Sequence, residues 1–292
     1  MKKDYSQENS ANWIETAIRG FLDRSEENTL KDEKNKRAWA DPIVGFSSGA
    51  DPLYQQFREQ IGDFFWTPLE IFKKTFSPER VTPDELTVIS WILPQTDETK
   101  RVSRKETVYP SESWARARIY GEAVNVRLRQ HVAETLTASG YNAIAPQLSP
   151  FWEERRSERY RDASTWSERH AAYVSGLGTF GLCDGLITPK GKAVRCGSVV
   201  AQIEIPPSTR PYSESRAYCL FHAKGICKKC IPRCPVSAID ELGHDKAKCR
   251  DHIFRVTTKH VRSHYGFDGY GCGLCQVAVP CESKIPTPSD IE

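Results

Sequence analysis

Eight of the ten cysteines in this chain fall between Cys219 and Cys281, and none occurs before Cys183. Thiols of an ordinary core would be spread along the sequence. A disulfide framework belongs to small secreted domains rather than to a chain of 292 residues. The first group reads Cys219-x7-Cys227-x2-Cys230-x3-Cys234-Pro235, and the second reads Cys249, then Cys272-x2-Cys275-x5-Cys281. The C-x2-C-x3-C-P core is the bacterial ferredoxin signature, in which the cysteine before proline ligates the other cluster of a pair. Two-residue spacings wrap a short loop round one face of a 4Fe-4S cubane, and the turn at proline carries the last thiolate away from it.

The crossover rule places Cys219, Cys227, Cys230 and Cys281 on one 4Fe-4S cluster. It places Cys234, Cys249, Cys272 and Cys275 on the other, with none of the eight to spare. The pattern departs from the usual one in two respects. Lys224 stands where the first cysteine of such a motif lies, so Cys219 reaches in over a longer loop. The second motif is stretched, with five residues before Cys281. A pair of structural zinc sites competes, because C-x2-C pairs serve zinc equally well. The C-x3-C-P element weighs for iron and sulfur. Cys183 and Cys196 are left unassigned.

A chain of this length is comfortable for two domains. Its 41 basic and 38 acidic residues leave +3, too even a balance to announce a nucleic-acid binder. The longest apolar stretch, Leu86 to Leu93, is far short of a membrane span. The start, Met-Lys-Lys-Asp-Tyr-Ser-Gln-Glu, lacks the apolar core of a secretion signal. A cytoplasmic protein with no membrane partner is the expectation. Helices are expected over Ala11 to Leu22, over Ser113 to Ser139 with Gly140 at the cap, and from a capping box at Thr165 to Glu168. Thr87 to Leu93 and Ser198 to Ile205 read as strands. Ten of the fifteen residues from Asp23 to Arg37 are charged, the pattern of a solvated loop or arm. The chain thus divides into an N-terminal helix and charged arm (1–40), an α/β domain (41–210) and a two-cluster domain (211–292). The boundary lies in the Pro/Ser-rich stretch Pro206 to Ser215.

Gly176-x-Gly178-x-x-Gly181 fits the dinucleotide fingerprint by letter, but a helix precedes it where that fingerprint requires a strand. A glycine loop that brings backbone close to a large ligand, or a plain tight turn, is the better reading. The run SERHAAYVSGLGTFGLCDGLITPKG (Ser167 to Gly191), followed by GSVVAQIEI and the ferredoxin cysteines, resembles the epoxyqueuosine reductase family, relatives of the reductive dehalogenases. TVISWILPQT, the Tyr109-Pro110 pair and the helix ending in Ser139-Gly140-Tyr141 are similar to it in order and spacing.

This resemblance implies an α/β (α+β) fold, with a nitroreductase-like corrinoid-binding domain followed by a two-4Fe-4S ferredoxin domain. It implies cobalamin held base-off against Gly176, Leu177, Gly178, Thr179, Phe180 and Gly181. It implies Asp162, six residues before Glu168-Arg169, as proton donor, with Tyr160 as second candidate; a surface role for Asp162 is the plain alternative. Electrons from a ferredoxin or flavodoxin would pass through the clusters to the corrinoid, and the substrate would lose a C–O or C–X bond. Leu182-Cys183-Asp184 replaces the family's lysine after the glycine loop. The chain also stops eleven residues after Cys281, without the helical repeats of longer members. The expected substrate is therefore a small molecule or modified nucleoside, with tRNA an open question. A two-cluster electron carrier, or an activator of another corrinoid protein, is the alternative function.

Overall fold

The computed structural model describes residues 7–77 and 80–291. Helix α1 (Gln7–Arg24) precedes strand β1 (Ile43–Ser48), helices α2 (Pro52–Ile61) and α3 (Pro68–Phe76), and strand β2 (Thr87–Pro94). Helices α4 (Asp97–Ser103) and α5 (Glu112–Arg116) lead through a π turn at Ala117–Gly121 into α6 (Glu122–Ala138), followed by β3 (Ala143–Ile144). A hairpin of β4 (Glu154–Ser157) and β5 (Arg161–Ser164) then precedes α7 (Glu168–Val174). The short pair β6 (Thr179–Phe180) and β7 (Leu186–Ile187) leads to the long strand β8 (Val194–Ala201). The C-terminal part holds α8 (Leu220–Lys224), a small hairpin of β9 (Ile239–Asp240) and β10 (Gly243–His244), and α9 (Lys246–Asp251).

The main sheet has the order β1-β2-β8-β3 and is antiparallel throughout. All eight residues of β2 are buried, and apolar residues on both of its faces mark a strand covered on both sides, although Thr87 and Ser90 are polar. Side chains alternate across it with the period of two. Ile89, Trp91 and Leu93 face α1 and α6, beside Ile14, Ile18, Val124, Leu128 and Val132. Val88 and Ile92 face α2, α3 and α7, with Phe57, Phe72, Ala171 and Val174. Trp91 lies opposite Gly197 in the register. A Cβ at that glycine would stand 2.4 Å from the indole, so only glycine leaves the ring its place. The result is a helix–sheet–helix arrangement of the α+β kind expected.

Several local expectations shift. The charged stretch after α1 is no free arm: Asn28, Thr29 and Leu30 are buried, and Trp39 N–H donates to Asn28 Oδ1 at 3.0 Å. α1 itself sits in the first core. α7 starts two residues late because Ser167, not Thr165, caps it. Thr165 Oγ1 instead accepts from Glu153 N–H, at the foot of the β4–β5 hairpin. β8 begins at Val194, four residues before the expected Ser198, and ends at Ala201. The stretch 206–215 is pinned to the N-terminal part, since Ser208 bonds Phe46 and Arg210 pairs with Asp51 at 2.9 Å. No described helix is long and apolar enough to cross a membrane.

Candidate functional site

The turn between β7 and β8 sets the site. Thr188 and Gly191 exchange backbone hydrogen bonds, and Gly191 has φ +82. A Cβ on Gly191 would meet the Glu282 carbonyl oxygen at 2.1 Å, so the turn presses directly on the C-terminal segment. Lys192 N–H then donates to the carbonyls of Cys281 at 2.8 Å and Glu282 at 3.1 Å. Across the same seam, Arg104 Nε donates to the Glu282 carboxylate at 3.0 Å and Lys100 Nζ to Ser283 Oγ at 2.9 Å.

This seam brings the thiols together. Cys183, Cys219, Cys230 and Cys281 are buried among Leu182, Ile187, Ile239 and Val279, with half-buried Cys234 and Cys275 packed against them. Cys183 accepts hydrogen bonds from the thiols of Cys230 and Cys275 and from the Gly185 N–H. It also accepts from Lys192 Nζ at 3.3 Å. These donors hold the Cys183 thiol well below its usual range. The Cys230 and Cys275 thiols are pushed up by the same contacts and by burial. Cys234 and Cys272 lie near Cys249, whose thiol burial pushes up to about 11. Backbone N–H groups reach two further sulfurs, Ala238 to Cys234 at 3.1 Å and Leu274 to Cys272. Cys219, Cys230 and Cys281 of one expected ligand set thus share a buried group with Cys234 and Cys275 of the other. Cys275 stands at the junction, and Cys227 lies half-buried outside the buried group.

Among the described residues, no three His, Cys, Asp or Glu side chains are grouped as ligands of one metal ion would be. A four-iron cubane asks for a wider array, with one thiolate for each iron and N–H donors on the sulfurs. Buried thiols, amide donors and an ammonium fit such an anionic group. Lys192 is 2% exposed. Burial works against its charge, yet the sulfurs of Cys183, Cys281, Cys275 and Cys230 hold its pKa well above the ordinary value.

Lys192 also lines a cavity of about 310 Å³, together with Arg129, Trp166, Glu168, Arg195, Cys196 and Gln276. Arg129, 1% exposed, binds Glu168 at 2.8 Å and Glu122 at 3.1 Å, and Glu122 also binds Arg195. Burial pushes the Glu168 carboxyl up. It also pushes the Cys196 thiol up to about 12, leaving that thiol protonated and unreactive. A larger open groove, about 810 Å³, lies across Trp152, lined by Arg58, Lys73 and Phe151, and no cysteine lines it.

Asp162 and Tyr160 do not line the cavity. Both are exposed on the β4–β5 hairpin, where Asp162 pairs with Arg156 and its carbonyl accepts from Lys246 Nζ at 3.2 Å. The foot of that hairpin, at Trp152 and Ser164, does reach the cavity wall. The glycine loop is filled by the chain itself. A Cβ on Gly178 would meet the Ile187 carbonyl oxygen at 2.3 Å, and one on Gly176 that of Thr209 at 2.5 Å. Gly178 N–H donates to Tyr212 Oη, Phe180 N–H to the Ser215 carbonyl, and Gly181 N–H to that of Gly185. Thr179 Oγ1 accepts from Tyr218 N–H, and Leu177 is buried. A ligand laid against this loop would have to displace these backbone contacts.

Lys192, Arg129, Glu168 and Cys183 escaped the sequence reading as members of one site. Lys192 sits in a Pro-Lys-Gly-Lys run with the look of a surface turn, and Arg129 meets Glu168 39 positions along the chain. The doubled thiol spacing was the one usable signal, and it stopped short of Cys183.

No protein-family model matches the chain, and no curated protein is significantly similar to it. Solved structures are. One is an epoxyqueuosine reductase crystallised with an epoxyqueuosine-modified tRNA stem loop, with TM-score 0.50 and 15% identity over 98% of this chain and 69% of that one. Another is a catabolic reductive dehalogenase, with TM-score 0.50 and 14% identity over 96% of this chain and 38% of that one. A third, a reductive dehalogenase described for B12-dependent dehalogenation, has TM-score 0.48 and 14% identity over 91% of this chain and 36% of that one. At these identities the likeness is one of architecture: the chain has the fold of epoxyqueuosine reductases and reductive dehalogenases, proteins that carry out reductions.

Proposed function

We propose that the chain is an iron–sulfur oxidoreductase of the epoxyqueuosine reductase-like type. Cys219, Cys227, Cys230 and Cys281 would hold one 4Fe-4S cluster, and Cys234, Cys249, Cys272 and Cys275 the other. The clusters, when bound, supply one-electron transfer. The observation that carries this reading is the meeting of the thiols with a cavity through one residue, Lys192, which faces both. Apolar neighbours at Leu182, Ile187 and Val279 bury Cys219, Cys230 and Cys281. Arg129 and Arg195, held by Glu122 and Glu168, give the cavity a fixed polar wall. A substrate there would be a small molecule or the modified nucleoside of a tRNA. A ferredoxin or flavodoxin in the cytoplasm would supply the electrons.

Cobalamin as the acceptor, with reductive C–O or C–X cleavage, rests on the sequence resemblance. Asp162, or Tyr160 beside it, is the proton donor in this reading and needs the exposed hairpin to approach a bound substrate. Asp162→Asn should leave melting temperature and iron content unchanged and slow turnover on the order of 100- to 10,000-fold. Unaltered turnover would remove that role.

A second reading, an electron carrier or activator of another corrinoid protein, is favoured by the filling of the glycine loop by its own chain. Adding cobalamin to anaerobically purified protein separates the two. Corrin bands that remain after gel filtration, with turnover of free epoxyqueuosine or modified tRNA, support the reductase. Clusters that reduce and reoxidise without corrin retention support the carrier.

A further inference from the structure

We propose that Lys192 sets the reduction potential of the cluster held by Cys230 and Cys281, by placing a fixed positive charge between those sulfurs and the cavity. The inference rests on the two-cluster reading above and concerns what this chain's own cation does there. Lys192 is fixed at both ends. Its backbone N–H bonds the carbonyls of Cys281 and Glu282, the segment that carries one of the sulfurs. Its Nζ stands 3.3 Å from Cys183 Sγ and also donates to the Cys281 sulfur. The groups that act on its charge are the sulfurs of Cys183, Cys281, Cys275 and Cys230. Among the described residues no carboxylate forms a salt bridge with it, whereas Arg129 and Arg195 on the same cavity wall are both paired with Glu122.

A buried ammonium is tolerated only where anions compensate it. Neutral thiols would not, and thiolates bound to iron would. A one-electron reductant then adds one negative charge to a four-thiolate unit that is already negative, with no bond made or broken in the protein. A cation a few ångströms away stabilises the reduced form more than the oxidised form, because Coulomb energy grows with the charge product. Net charge and donors to the sulfurs are what set cluster potentials. Lys192 bonds the Cys281 sulfur of one set and meets the other set only at Cys275, so it raises the potential of the Cys230 and Cys281 cluster more than that of its partner. Cys183 holds the ammonium in place through its sulfur and is a positioning residue here.

The test compares wild type, Lys192→Met, Lys192→Gln, Lys192→Arg and Cys183→Ser after anaerobic reconstitution with iron and sulfide. Iron and sulfide are counted, and midpoint potentials are read by electron paramagnetic resonance during titration with dithionite. Lys192→Met and Lys192→Gln should keep the wild-type iron content and shift the cluster of Cys230 and Cys281 to lower potential, by more than the other cluster shifts. Lys192→Arg should stay close to wild type, and Cys183→Ser should keep both clusters. Unchanged potentials in the Met and Gln variants with full iron would overturn the proposal. So would an Arg variant shifted as far as Met, since packing and not charge would then be responsible. Loss of iron in both uncharged variants would overturn it too, leaving Lys192 a structural support. Wild-type protein that takes up no iron would defeat the two-cluster reading itself, a distinct outcome.

Discussion

Arg129 lies in the middle of a helix whose surface residues would be expected to face water, yet its guanidinium is buried. It binds Glu122, Glu168, the side-chain oxygen of Gln147 at 3.0 Å and the Cys196 carbonyl at 3.1 Å. Arg129→Met would leave two carboxylates without their shared cation and should destabilise the fold by about 3–5 kcal/mol in denaturant unfolding. A loss under about 1 kcal/mol would mean that water reaches the network and takes over from the arginine. Gly178 shows how a residue's cause can differ from its apparent purpose. Its lack of a side chain is required by the Ile187 carbonyl, so Gly178→Val should cost roughly 1–3 kcal/mol by overpacking, with or without any ligand. A wild-type melting temperature in that variant would show that the loop yields. Neither residue's surroundings were legible in the sequence, because a side chain's own letter does not reveal a partner tens of residues away.

β2 and α6 were legible as elements because their patterns are long and consistent. A strand with apolar residues on both alternating faces must be covered on both, and Val124, Leu128, Val132 and Leu136 form one stripe at helical spacing. The β4–β5 hairpin was not legible. Its residues are largely charged and exposed, so no alternation of apolar side chains marks it, and backbone pairing alone defines it. α7 was legible as a helix but not in its first turn, where both Thr165 and Ser167 can cap and the hairpin takes Thr165. That helix carries a pH dependence. His170 packs against Phe57, Phe65 and Phe180, and burial lowers its pKa from 6.5 to about 3. The native state thus holds fewer protons on this ring than the unfolded chain. Its contribution is complete above pH 6.5 and is lost progressively as pH falls towards about 3. Stability measured from pH 7 to pH 4 should fall less steeply in His170→Gln than in wild type. Equal slopes would show that the ring is protonated in the fold.

The segment carrying Cys281, Glu282 and Ser283 docks on the turn before β8 and on Arg104 and Lys100 of the α4 region, so the thiols and the cavity share one wall. The motif spacing announced the thiols, and the docking put Cys183 and Lys192 among them. The central claim, that these thiols carry two iron–sulfur clusters, is tested most directly by counting metal and acid-labile sulfide in protein purified without oxygen. The account predicts about eight iron and about eight sulfide per chain, as two 4Fe-4S clusters require. It also predicts that Cys230→Ser loses about half of each. Zinc in place of iron, or full iron retained in Cys230→Ser, would contradict it.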